Sequence, residues 1–179
     1  MSHGEVLTRV TVWVAVVGYA TGSCVFALSR RRPAWDRTAR LAWTVGCAAL
    51  LAHVAFAFHS FHGWSHGAAY RDTARQTAEV FGIDWGGGVY VNYALLVAWV
   101  LDVAWWWRGL DTYRRRPRLL VAAWQGFLIF IVLNATVVFG TTPVRWLGGA
   151  VCLGVLVAWW LGGRRRSSGS SGADYPSPK

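Results

Sequence analysis

Five runs of apolar residues, each close to twenty long, leave this chain few ways to fold: residues 10–28, 41–61, 89–107, 119–139 and 144–161. A helix needs about 20 such residues to cross the hydrocarbon core of a bilayer. Inside lipid the backbone must satisfy its own hydrogen bonds, which restricts spanning segments to helices and closed barrels. Here the apolar residues are continuous and do not alternate with polar ones. The expected fold class is therefore all-α, a polytopic transmembrane bundle of five helices forming one domain over residues 1–161. A hydrophobic share of 55% and a mean hydropathy of +0.34 are too high for a soluble domain of 179 residues. The first run has neither a basic start nor an Ala-x-Ala-like cleavage signal, so we expect a retained span and not a removed leader.

The connections between the runs differ in charge, and that difference predicts an orientation. Residues 29–40 form a basic loop with Arg30, Arg31, Arg32, Arg37 and Arg40, kept non-helical by Pro33. A second basic loop, 108–118, carries Arg108, Arg114, Arg115, Arg116 and Arg118, and the tail adds Arg164, Arg165, Arg166 and Lys179. The opposite side holds only Arg9, Arg71, Arg75 and Arg145, balanced by Glu5, Asp72, Glu79 and Asp84. Positive charge collects on the cytoplasmic side of membrane proteins. The expected topology places the N-terminus outside and the C-terminus in the cytoplasm, in a bacterial-type inner membrane. The net charge of +10 then belongs to the cytoplasmic face. There it acts as a topology signal and an attraction for anionic headgroups, and nucleic acid is not an expected partner. The expected partners are the lipid bilayer, with other membrane subunits or a second copy of the chain. Residues 162–179, rich in Ser, Gly and Pro, read as a disordered cytoplasmic tail.

Tryptophan fits the same map. Trp13, Trp64, Trp85 and Trp146 fall near the outer boundary, and Trp35, Trp43, Trp105, Trp106, Trp107, Trp159 and Trp160 near the inner one, as interfacial belts. Trp99 and Trp124 lie deeper. The three cysteines, Cys24, Cys47 and Cys152, sit singly inside apolar runs and read as small packing residues.

The long outer loop, 62–88, contains the stretch of greatest chemical interest. Its segment 68–81 has good helix formers and no proline, with Ala74, Thr77, Ala78 and Phe81 at helical spacing. This predicts a short extracytoplasmic helix at the membrane surface. Gly86-Gly87-Gly88 marks a turn into the third span. Immediately before the helix, His59-Ser-Phe-His62-Gly-Trp-Ser-His66 holds three of the five histidines. On a continuous helix His62 lies about 60° and His66 about 20° from His59, so all three imidazoles share one stripe if the second span stays helical through Ser65. His62 and His66 then have the spacing at which two histidines on adjacent turns reach one metal ion. His53 lies about nine Å deeper, and Asp84, Asp72, Glu79 or His3 are available to complete a site on the same side. The competing reading is a set of interfacial histidines bonded to loop backbone and headgroups, with His53 a neutral imidazole bonded to a neighbouring helix.

Asn92 in the third span and Asn134 in the fourth fall at the depth of His53 and His59, so three helices could share one polar layer under the loop. Such a layer serves a site or simple interhelical hydrogen bonding equally well. Asp102, just above the inner boundary, is expected in a structural salt bridge with Arg108 or in contact with Gln125. Haem bound by two histidines draws them from different helices, and here only His3 lies outside the second span and its extension.

Paired acid and base groups are scarce, which argues against catalysis. The functional expectation is a small integral membrane protein acting as a non-catalytic subunit or scaffold of a membrane assembly. The alternative is an outward-facing site on His59, His62, His66, His53 and Asp84, taking a transition metal or haem for metal handling or electron transfer.

Overall fold

In the computed structural model, which describes residues 3–29 and 32–167, every regular element is helical. The chain runs through α1 (His3–Leu28), α2 (Pro33–Ala57), α3 (His66–Phe81), α4 (Gly88–Arg108), the single turn α5 (Leu110–Arg114), α6 (Arg118–Leu133) and α7 (Thr142–Ser167). α2 and α6 each end in a wider π-helical turn, Phe58–His62 and Asn134–Val138. Five helices are long and apolar enough to cross a membrane: His3–Leu28, Ala34–His62, Gly88–Arg108, Arg118–Val138 and Thr142–Arg164. The chain is accordingly a multi-pass membrane protein whose outer surface contacts lipid. α3 is the expected short helix between the second and third spans. Ser65 caps it, its hydroxyl accepting from Ala68 N at 3.2 Å, and Gly82 ends it in the left-handed region with φ 71°.

Three expected boundaries move, the first being the start of α1, at His3 and not near residue 10. Residues 34–40 are helical and not a loop, because Pro33 occupies the first turn of α2. No backbone N–H is needed there, and proline's fixed φ suits the helix. α7 continues to Ser167, so residues 162–167 are helix where a disordered tail was expected. Residues 168–179 of that tail, together with Arg30 and Arg31, lie outside the described residues.

α1 and α2 form the most intimate pair. Gly18 and Gly22 on α1 are one helical turn apart and face Ala39, Trp43 and Gly46 of α2. A Cβ on Gly18 would stand 2.6 Å from Gly46 Cα and 2.8 Å from Ala42 O. Small residues at this spacing let two backbones touch, and packing then holds them where lipid supplies no hydrophobic drive. α7 closes on the other flank of α1, with Gly162 against the Ala27 carbonyl, and meets the π-helical turn of α6 where Gly148 lies against the Thr136 side chain. α4 packs on α2, α3 on α4, and α6 on α7.

The core is aromatic. Tyr19, Trp43, Trp99 and Trp106 meet between α1, α2 and α4, with Tyr19–Trp43 centroids at 5.9 Å and Trp43–Trp99 at 5.4 Å. Trp43 and Trp106, expected in the inner interfacial belt, are only 1% and 2% exposed. Depth along the axis placed them near the boundary, but their azimuth points inward. Trp35, Trp64, Trp85, Trp107, Trp146 and Trp160 remain on the surface.

Alternate connections put Ser29, Arg32, the 109–117 segment and the last turns of α7 at one end of the bundle, and residues 58–87 and 139–141 at the other. We call these the basic end and the histidine end.

Candidate functional site

At the histidine end the helix of the second span stops at Gly63. Gly63 (φ 54°) and Trp64 (φ 60°) are both left-handed, a conformation easy for glycine and rare for a bulky residue. Trp64 N donates back to Phe58 O at 3.1 Å, and Ser65 N to His62 O at 2.9 Å. The chain therefore turns between His62 and His66, and the three imidazoles do not form one stripe. His59 is exposed, and the His62 ring packs edge-on against Phe58 at 5.5 Å.

His66 belongs to α3 and faces α4 instead. Its Nδ1 lies 3.0 Å from the Tyr93 hydroxyl and its Nε2 3.3 Å from the Tyr90 hydroxyl. Both ring nitrogens thus lie within hydrogen-bonding distance of a phenol. His53 is half-buried on α2, with Nδ1 2.9 Å from the Thr8 carbonyl of α1. A carbonyl only accepts, so Nδ1 carries the proton and the ring ties the two helices together.

Asp84 is exposed beside a shallow cleft of about 590 Å³ lined also by Tyr70, Arg71, Ala74, Arg75 and Ala78. Asn134 donates to Phe130 O of its own helix at 2.8 Å, and Asn92 is exposed on α4. Among the described residues no three His, Cys, Asp or Glu side chains stand close enough together to hold one metal ion.

The densest polar chemistry is at the basic end. Asp102 accepts from Trp43 Nε1 at 2.9 Å and from the Tyr113 hydroxyl at 2.8 Å, and pairs with Arg116. Asp102 and Arg116 are only 8% and 4% exposed at the side chain. Arg116 Nε also donates to Tyr113 O at 3.0 Å, and its guanidinium lies 3.4 Å from the centre of the Tyr113 ring. Tyr113 stacks on Trp106 at 4.3 Å. A second buried pair joins Asp36 to Arg114, with the Ser29 hydroxyl donating to Asp36 at 2.9 Å.

The expected salt bridge of Asp102 exists, but its partner is Arg116, not Arg108. Gln125 serves elsewhere: its Oε1 accepts from Ser23 at 3.0 Å, and Trp159 Nε1 donates to Ser23 Oγ at 2.8 Å, joining α1, α6 and α7. The phenol of Tyr113, on α5, is pushed upward from its ordinary value near 10 by burial first and then by the Asp102 carboxylate, with Arg116 opposing. It therefore stays a proton donor to Asp102. These pairs hold α4, α5 and the α1–α2 hairpin together; each carboxylate already has an arginine and a neutral donor, while Arg114 Nε is buried without a hydrogen-bond partner among the described residues.

The arginines of the basic end divide into two kinds. Arg114 and Arg116 turn inward, whereas Arg108, Arg115 and Arg118 are exposed and form no ion pair among the described residues. Charge counting along the sequence treats all five alike. Gly18-x3-Gly22 is the sequence signal for the α1–α2 contact, which charge and histidine spacing do not carry.

Compared with protein-family models, with curated proteins and with solved structures, the chain gives no significant match.

Proposed function

We propose that the protein is a non-catalytic component of a membrane assembly in a bacterial-type inner membrane, its histidine end outside and its basic end in the cytoplasm. The supporting observation is a pair of small-residue faces that no described residue covers. Ala122 and Gly126 on α6, and Ala150 and Gly154 on α7, are exposed within their spans. A Cβ built on Gly126 or Gly154 would meet nothing within 4 Å. Each pair repeats the four-residue spacing of Gly18 and Gly22, which in this same chain brings two backbones into contact. Faces of this kind associate with transmembrane helices of other subunits or of a second copy. The orientation rests on the exposed arginines of the basic end.

Purification of the tagged chain from native membranes in mild detergent tests the reading. The expected result is a complex larger than the chain, lost in Gly126→Leu or Gly154→Leu while the thermal unfolding of the chain is unchanged. A lone monomer, with no membrane complex lost when the gene is deleted, would overturn it.

A further inference from the structure

We infer that the basic end carries a binding site for one anionic phospholipid, in a groove of about 460 Å³ on the outer face of α4 and α5 lined by Leu101, Ala104, Trp105, Arg108 and Thr112. All five lining residues are exposed. Their order follows the depth profile of a lipid. Leu101 and Ala104 form an apolar wall within the third span, Trp105 follows, and Arg108 and Thr112 stand at its end. From Leu101 to Arg108 the helix rises about 10 Å, which carries the groove from acyl-chain depth to headgroup depth. Tryptophan between the two matches its preference for the interface.

Charge selects the headgroup. Arg108, Arg115 and Arg118 have no ion-pair partner among the described residues, and Asp111 is the acidic residue standing between them in the chain. Arg116 lies 5.7 Å from the Trp105 ring, but Asp102 already neutralises it. The α4–α6 connection therefore carries a net excess of positive charge, and Arg108 is the member of it that lines the groove. The Arg108 guanidinium provides a two-pronged donor for phosphate oxygens, and the Thr112 hydroxyl a third. A groove that opens sideways onto bilayer is filled by an acyl chain wherever no protein covers it, so one occupant satisfies both halves. The site stands apart from the open faces of α6 and α7, so it can fail without affecting the assembly reading.

The test is native mass spectrometry of the full chain in neutral detergent, titrated separately with phosphatidylglycerol and phosphatidylcholine of matched chains. One saturable phosphatidylglycerol adduct is expected, with phosphatidylcholine clearly weaker. Arg108→Gln should weaken that adduct roughly tenfold or more, as loss of a charge-assisted bond does. Arg37→Gln, which alters an exposed arginine outside the groove, should cost no more than the roughly fivefold of a general surface charge. Ala104→Phe, which fills the apolar half, should weaken both lipids, and glycerol phosphate without chains should compete poorly. Equal binding of the two lipids, or equal losses in the Arg108 and Arg37 variants, would overturn the site. So would cross-linking of Ala104→Cys in native membranes to another protein in place of lipid.

Discussion

At the basic end of the bundle the carboxylates of Asp36 and Asp102 are closed off from solvent, each held by an arginine and at least one neutral donor, whereas at the histidine end His59, on the π-helical turn, and His66, at the start of α3, stand exposed. Burying a charge is costly unless its partners are complete. Asp102 meets that condition with donors from α2, α5 and the loop before α6, so its geometry is specified by several elements at once. The histidine end relies on fewer and more exposed contacts: a capped α3, one imidazole between two tyrosines of α4, and a left-handed turn. One end of the molecule is thus built to be fixed, and the other to tolerate change at its surface. The same residue chemistry, a titratable group near the membrane boundary, has opposite consequences depending on whether it is buried among its partners, as Asp102 is, or exposed beside them, as His66 is.

The strongest way to break this contrast is at Asp102. Removing one member of a buried pair strands the other, and Asp102→Ala or Arg116→Ala is expected to cost about 3–5 kcal/mol. Unfolding in detergent, followed by tryptophan fluorescence, measures it. The double change Asp102→Leu with Arg116→Met leaves neither charge stranded and should recover most of the loss. If each single variant unfolds like the parent, the basic end is not the fixed end.

A change midway between the two ends sharpens the comparison. Gly18→Val places a branched side chain where even a Cβ would be 2.6 Å from Gly46 Cα, and it should cost about 1–3 kcal/mol as α1 and α2 separate. Gly46→Ala meets its nearest atom at 3.1 Å and should cost less. Because Trp43 faces Gly22 and also donates to Asp102, the Gly18→Val protein should lose part of the benefit of the Asp102 pair. Combining Gly18→Val with Asp102→Ala should therefore give less than the sum of the two losses, as coupled sites do.

Tyr113→Phe removes one donor from Asp102 while leaving Trp43 and Arg116 in place, for about 1 kcal/mol. Its sign with pH is also determined. The folded chain holds the phenol proton more tightly than the unfolded one, so this contribution is complete below about pH 10 and declines as pH rises above it. The parent should lose more unfolding temperature than Tyr113→Phe between about pH 9 and pH 11. Equal slopes would mean that the phenol is less enclosed than its packing on Trp106 implies.

What could be read in advance follows a physical division. The five spans and the helix near 68–81 were legible because length and apolar continuity are local properties, and the structure places their ends within a few residues of expectation except at α1, which starts at His3, and at the ends bearing Pro33 and Ser167. Asp102 was legible as a paired carboxylate, since an ion at that depth needs a partner. Its partner was not, because the choice among arginines depends on how the one-turn helix α5 redirects the chain after Gly109. The inward azimuth of Trp43 likewise depends on the Gly18–Gly46 contact. The histidine stripe required continuous helix through Ser65, and two consecutive left-handed residues decided against it.

The smallest expected effect lies at His66. Its imidazole bonds Tyr93 and Tyr90, yet all of this happens at an exposed position beside a capped helix that Ser65 starts without it. Water can replace both phenols, so His66→Ala should change stability by within about 0.5 kcal/mol. Hydrogen exchange separates a local from a global effect here: faster exchange confined to α3 is expected, with α4 beyond Tyr93 unchanged. A loss as large as that of Asp102→Ala, spreading into α2 and α4, would show that the histidine end is fastened as firmly as the basic end, and the contrast between them would fail.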